Sequence, residues 1–168
     1  RNGPSVHLLT DAGHAFSQPK GRSDLRPLLR LPKRKPGNYE IRLGTSFSEL
    51  LQMAGGVRNG NKLKAVIPGG SSVPILMPDQ LDIPASFDGV VKAGSMLGSA
   101  GIIVMDETTC MVWTAMNLMH FYKHESCGKC TPCREGGDWL WKILTRIEAG
   151  EGVMRDIDLL VSVGGNIA

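Results

Sequence analysis

The chain has 168 residues, a formal net charge of +3, 42% apolar and 21% charged side chains. That is the make-up of an ordinary globular protein, long enough for one core or two small ones. So mild a charge argues for neither nucleic acid nor a membrane surface, and no apolar run approaches the ~18 residues that span a bilayer.

Residues 1–35 lack sustained periodicity. They include "KGRSDLRPLLRLPKRK", with seven basic residues against one acid, Asp24. No aromatic interleaves those charges as stacking on bases would require, so the segment reads as a solvated, unassigned stretch foreign to the domain that follows. The chain opens on Arg1 with no signal-peptide pattern, which points to a start that is not the native one.

Residues 36–105 alternate short apolar runs with Gly and Pro punctuation. After Pro36-Gly37, "NYEIRL" alternates like a strand. "TSFSELLQMAGG" predicts a short helix capped by Ser46 or Thr45, supported by Glu49 and stopped at Gly55-Gly56. "KLKAVIPGG" and "GIIVMD" read as buried strands, and "VPILM" as a weaker one. A strand, a crossing helix and further short strands predict an α+β fold with a small β-grasp-like module. Its glycine-rich turns carry no nucleotide signature. Gly55 and Gly60 have the outer spacing of a phosphate loop, but Asn61 stands where Lys is required. "PGGSS" reads as a turn.

Residues 106–168 read as helical. Met111, Ala115, Leu118, Met119 and Tyr122 form a stripe, and Val112, Trp113 and Met116 make the other side apolar too, so this helix is expected to be enclosed. Past the cysteines, Trp139, Ile143 and Ile147 form a row widened by Leu140 and Leu144, with Gly150 as the stop. "MRDIDLLVSV" predicts a third helix, and the whole a small helical bundle with a cysteine loop between two of its helices.

That loop, "ESCGKCTPCREGG", places Cys127, Cys130 and Cys133 at C-x-x-C-x-x-C spacing. Closely spaced cysteines point to metal or redox chemistry in a reducing compartment, and so to the inside of a cell or organelle. Consecutive x2 spacings let a short loop offer three thiolates to one compact cofactor. Gly128 clears the inside of the curl and Pro132 stiffens it. Lys129, Arg134 and His124 are candidates for nearby positive charge. The ferredoxin run fails at Gly137-Asp138, where a fourth Cys and Pro would stand, and no second ligand pair completes a zinc ribbon. The spacing favours an iron–sulfur cluster over zinc or a disulfide. Cys110 reads as a small core residue, and His120 with His124 as a helix-surface pair. The cluster is one ligand short.

"ESCGKCTPCREG", preceded by "HFYKHE", resembles the signature of the NADH-binding flavoprotein subunit of respiratory complex I, NADH:quinone oxidoreductase. Diaphorase subunits of NAD-linked hydrogenases and formate dehydrogenases share it. The resemblance runs from about Pro36 to Ala168. It implies a β-grasp-like soluble-ligand-binding domain at 36–105 and a helical iron–sulfur domain at 106–168. Cys127, Cys130 and Cys133 are then three ligands of a 4Fe–4S cluster, with the fourth cysteine expected beyond Ala168. In that family the cluster takes electrons from FMN, reduced by NADH, and passes them toward quinone. The domain that binds FMN and NADH is missing here, so the chain alone is expected to be inactive as an NADH dehydrogenase. The implied partners are the small 2Fe–2S thioredoxin-like subunit and the large iron–sulfur subunit of the peripheral arm. The implied place is the cytoplasmic side of the bacterial inner membrane, or the matrix side in mitochondria. A zinc-stabilised interaction module is the reading of another class.

Overall fold

The structure is a computed structural model that describes residues 5–8 and 37–167. The chain divides into two compact units, Arg1–Thr109 and Cys110–Ala168.

In the first unit, β1 (Ser5–Leu8) pairs antiparallel with β2 (Tyr39–Arg42), Ser5 opposite Arg42 and Leu8 opposite Tyr39. Apart from those four residues, the segment 1–35 read as foreign to the domain lies outside the described residues. A second antiparallel pair joins β3 (Leu63–Ile67) to β4 (Ile103–Asp106), with an irregularity between Leu63 and Ala65. "VPILM" is no strand. It makes an isolated bridge in which Leu76 and Val66 exchange backbone bonds of 2.7 and 2.9 Å. Pro74 has no N–H to continue that ladder, and Pro78 opens a single helical turn.

Helix α1 (Phe47–Met53) starts where its cap residue dictates. The Ser46 hydroxyl accepts the Glu49 N–H at 3.1 Å, and Phe47 and Leu50 turn into the core. A second helix, α2 (Phe87–Lys92), carries a glycine in its middle, which argues against helix in the sequence. Packing explains that glycine: a Cβ on Gly89 would stand 2.5 Å from the Pro84 carbonyl oxygen. The core gathers Ile41, Phe47, Leu50, Val66, Leu76, Leu81, Val90, Leu97, Ile102 and Val104. Beside it two loops meet backbone to backbone. Ser99 N–H donates to Gly69 O at 2.9 Å and Gly70 N–H to Gly101 O at 2.8 Å, so the "PGGSS" amides serve the fold.

The 3.6-residue period of the second unit gives α3 (Met111–Glu125), α4 (Thr131–Glu148) and α5 (Met154–Gly165). The contacts fix their directions. Cys110 meets Glu148 and Lys123 meets Asp138, so α3 and α4 run antiparallel. Arg146 meets Asp156 while Gly136 meets Ile167, so α5 turns back along α4. The α4–α5 joint is held by Asp156. It is fully buried, accepts both Nε and Nη2 of Arg146, and takes the Val153 N–H at 2.9 Å as the cap of α5.

Two expectations of burial change here. Only Thr114 of α3 is buried, and its apolar residues are half-exposed, so the helix is not enclosed within this unit. On α4 the buried row is Gly136, Gly137, Leu140 and Leu144, whereas Trp139 is 54% exposed. A helix has room for one buried stripe against each neighbour, and the small residues take it because α3 and α5 approach closely there.

Candidate functional site

The three clustered cysteines lie at the bend between α3 and α4. Ser126 ends α3 in extended conformation (φ −60°, ψ 126°). Gly128 follows at φ +74°, a left-handed turn that favours glycine. Cys130 is the first half-turn residue of α4, and Pro132 and Cys133 fall within the helix. The loop is thus shorter than the spacing implied, because helix overtakes the third cysteine. Proline at the helix start needs no partner for an N–H and fixes the entry angle.

All three thiols are free and exposed. Among the described residues no three His, Cys, Asp or Glu side chains converge on one ion position. The surrounding chemistry fits a larger anionic group. The start of α4 has no side-chain cap and no acid in its first turn. Its first bond to the chain behind is Arg134 N–H to Cys130 O at 2.9 Å. The N–H groups of Thr131 and Cys133 therefore find no acceptor within the helix, and they face the pole where the peptide dipoles favour negative charge.

Arg134 plays a different part from the one its charge implies. Its Nη1 donates to the Gly128 carbonyl at 2.7 Å, Nη2 to Thr131 Oγ1 at 3.4 Å, and Nε to Glu135 at 2.9 Å. It laces the loop to the helix and has its charge matched by Glu135. His124 pairs with its neighbour Glu125 at 3.1 Å and is equally occupied. Lys129 is exposed beside the thiols. Ser126, to which no motif in the sequence points, lies 3.4 Å from Cys133 Sγ and accepts the Gly128 N–H at 3.3 Å.

One turn further along α4, Asp138 receives Lys123 at 2.5 Å and Lys142 at 2.6 Å, and these hydrogen bonds hold its carboxyl below the usual range. Lys123 also sits 4.1 Å above the Trp141 ring. The exposed His120 leans on that ring at 5.5 Å rather than joining His124.

Cys110 corrects an expectation. It is exposed, not a core residue: it caps α3 with its sulfur accepting the Trp113 N–H at 3.5 Å and lying 3.4 Å from Glu148 Oε2. A helix of 15 residues separates it from Ser126, or about 22 Å at 1.5 Å per residue. It is out of reach of the other three. In the first unit, an apolar hollow of about 370 Å³ is lined by Tyr39, Phe47, Leu50, Leu51, Val66 and Leu81, with no charged group to orient a ligand.

Thiols at a helical bend, joined to a small α/β unit, define the class: an iron–sulfur-binding region behind a β-grasp-like domain. Residues 113–168 match the NADH-ubiquinone oxidoreductase-F iron–sulfur binding region, and residues 34–76 match the SLBB domain. Over these residues the chain belongs to the family of F-type subunits of NADH-quinone oxidoreductases. It is 53% identical to the F-type subunit of Mycobacterium tuberculosis over 133 residues, which cover 79% of this chain and 30% of that relative. With the second F-type subunit of Rhizobium meliloti it shares 55% over 128 residues, 76% of this chain and 30% of the relative. The chain thus spans about a third of the length of the curated relatives it matches. Among solved structures it is similar to an NAD+-reducing NiFe hydrogenase in its hydrogen-reduced state (TM-score 0.67, 28% identity, 79% of this chain and 22% of that one).

Proposed function

We propose that Cys127, Cys130 and Cys133 hold three corners of a 4Fe–4S cluster, in the part of an NADH dehydrogenase (quinone) flavoprotein subunit that relays electrons. The observation that carries this is coincidence of place. The stretch matching an iron–sulfur binding region contains the one loop with three free, exposed thiols at an uncapped helix start. Once bound, the cluster supplies a reversible one-electron store. The chain's own residues do the rest. The two bends at Ser126 and Gly128 spread the thiols, Arg134 ties the loop to α4, and the free amides of the first turn face the added negative charge.

The fourth ligand comes from outside this sequence. The chain has four cysteines, and Cys110 is committed to the far end of α3. By the same reading NADH and FMN bind elsewhere in the longer subunit, electrons pass from reduced FMN through this cluster toward quinone, and these residues alone do not oxidise NADH. The small 2Fe–2S subunit and the large iron–sulfur subunit of the peripheral arm are the partners that reading implies, on the cytoplasmic side of a bacterial membrane. Identity of 53% to respiratory subunits against 28% to the hydrogenase favours the respiratory assignment over a hydrogenase diaphorase.

Anaerobic loading with iron and sulfide tests the proposal. The wild-type chain is expected to take up iron and gain a broad visible absorption that bleaches on reduction. Cys130→Ser abolishes both, and Cys110→Ser leaves both intact. Stoichiometric zinc without colour, or equal iron in the Cys130→Ser variant, overturns it.

A further inference from the structure

We propose that Ser126 is a positioning residue that donates its hydroxyl proton to the Cys133 sulfur and so raises the reduction potential of the cluster. The inference rests on the reading that Cys133 is a cluster ligand. Three observations carry it. First, Ser126 Oγ lies 3.4 Å from Cys133 Sγ, inside the range of a hydrogen bond to sulfur. Second, the same oxygen already accepts the Gly128 N–H at 3.3 Å, and among the described residues Cys133 Sγ is the acceptor within reach of its own proton. Third, the pair is held from both sides. Ser126 terminates α3, Cys133 sits in the first turn of α4, and the neighbouring Arg134 pins the Gly128 carbonyl at 2.7 Å.

In the free thiol either atom could donate. A sulfur bound to iron has lost its proton and can only accept, so the direction becomes Ser126 O–H to Cys133 Sγ. Hydrogen bonds to ionised acceptors are the stronger kind. When the cluster takes one electron, the negative charge on its sulfurs grows and the bond strengthens, which stabilises the reduced state more than the oxidised one. The proton stays on oxygen throughout, and Ser126 gains or loses no electron. Ser126 is half-buried, so water replaces the bond poorly when it is removed.

The test uses the chain loaded anaerobically with iron and sulfide, with Cys130→Ser as the control for cluster binding. In a mediated redox titration Ser126→Ala is expected to shift the midpoint to more negative values, a tenfold change in the reduction equilibrium corresponding to about 59 mV for one electron. Ser126→Thr, which keeps the hydroxyl, restores the wild-type midpoint. Transfer of the wild type to heavy water shifts its iron–sulfur stretching frequencies by resonance Raman, and Ser126→Ala loses the serine contribution to that shift. A serine that only shapes the loop would lower iron content and move neither readout. Should Ser126→Ala fail to load, the comparison is made between Ser126→Thr and Ser126→Val, which differ in the hydroxyl alone. Equal midpoints within either pair overturn the proposal. If instead Cys130→Ser binds iron like the wild type, it is the cluster assignment that fails.

Discussion

Asp106 closes β4 with 6% of its surface exposed, and its carboxylate is served by neutral donors. Burial alone would raise its pKa. Asn61 at 2.8 Å, the Thr108 hydroxyl and amide at 2.7 and 3.0 Å, and the Thr109 hydroxyl at 3.3 Å outweigh it, and the net shift is downward from the ordinary 3.8. A folded-state value below the unfolded one gives stability that is complete above the unfolded value and is lost as pH falls through the folded value. Thermal unfolding followed from pH 7 to pH 2 should therefore weaken most at the acid end. Asp106→Asn should remove about 2 kcal/mol at pH 7 and flatten that acid limb, because its amide would turn a donor toward Asn61. An unchanged acid limb in the variant would refute this. Single residues were unevenly legible in the sequence. The spacing of Cys127, Cys130 and Cys133 is a local pattern, so it survived translation into structure. Cys110 was misread because its neighbours are apolar, yet at the first position of a helix a side chain points back to the backbone and stays exposed. Ser126 carries no pattern of its own. Its role exists only because α4 folds back past it.

Glycines divide by the element they serve. Gly98 has φ +47°, and a Cβ there would stand 2.1 Å from the Gly69 carbonyl oxygen, a backbone atom that cannot swing aside. Gly137 sits inside α4 with its nearest neighbour, Lys123 Cα, at 3.8 Å, an ordinary contact distance. Alanine should thus act in opposite directions at the two sites. Gly98→Ala should destabilise the first unit by about 3 kcal/mol or more, and Gly137→Ala should stabilise the second by about 1 kcal/mol through helix propensity. Denaturant titrations of the two variants check the pair, and the same sign in both would contradict the packing described. Elements were read well where caps and periods agreed, as at Ser46 for α1 and Gly150 after α4. α2 escaped because Gly89, mid-helix, looks like a breaker unless the Pro84 carbonyl beside it is known. "VPILM" had strand composition, but proline at both ends limits it to a bridge.

Across the whole molecule, the division between an α/β unit and a helical unit was visible as a change of period, but how fully each helix would be covered was not. Expected burial of α3 came from its two apolar sides, whereas in the structure α4 covers one of them. Residues Met154, Ile157 and Val161 likewise lie exposed along one side of α5, at i, i+3 and i+7. The ligand count is a property of the whole sequence too. With three thiols at the bend and the fourth committed elsewhere, the loaded chain should hold iron weakly, and a small external thiol should fill the vacant corner. Iron retained after gel filtration should rise several-fold with millimolar β-mercaptoethanol in the buffer; retention that ignores the thiol would mean the chain completes the coordination by itself. The far placement of Cys110 has a practical reach of its own. Iron loading would shield the three bend cysteines from alkylating reagents and leave this one reactive, so a spin label could be put there alone. Held at the opposite end of a straight helix, it would serve as a molecular ruler, its relaxation reporting each time an unpaired electron arrives at the bend.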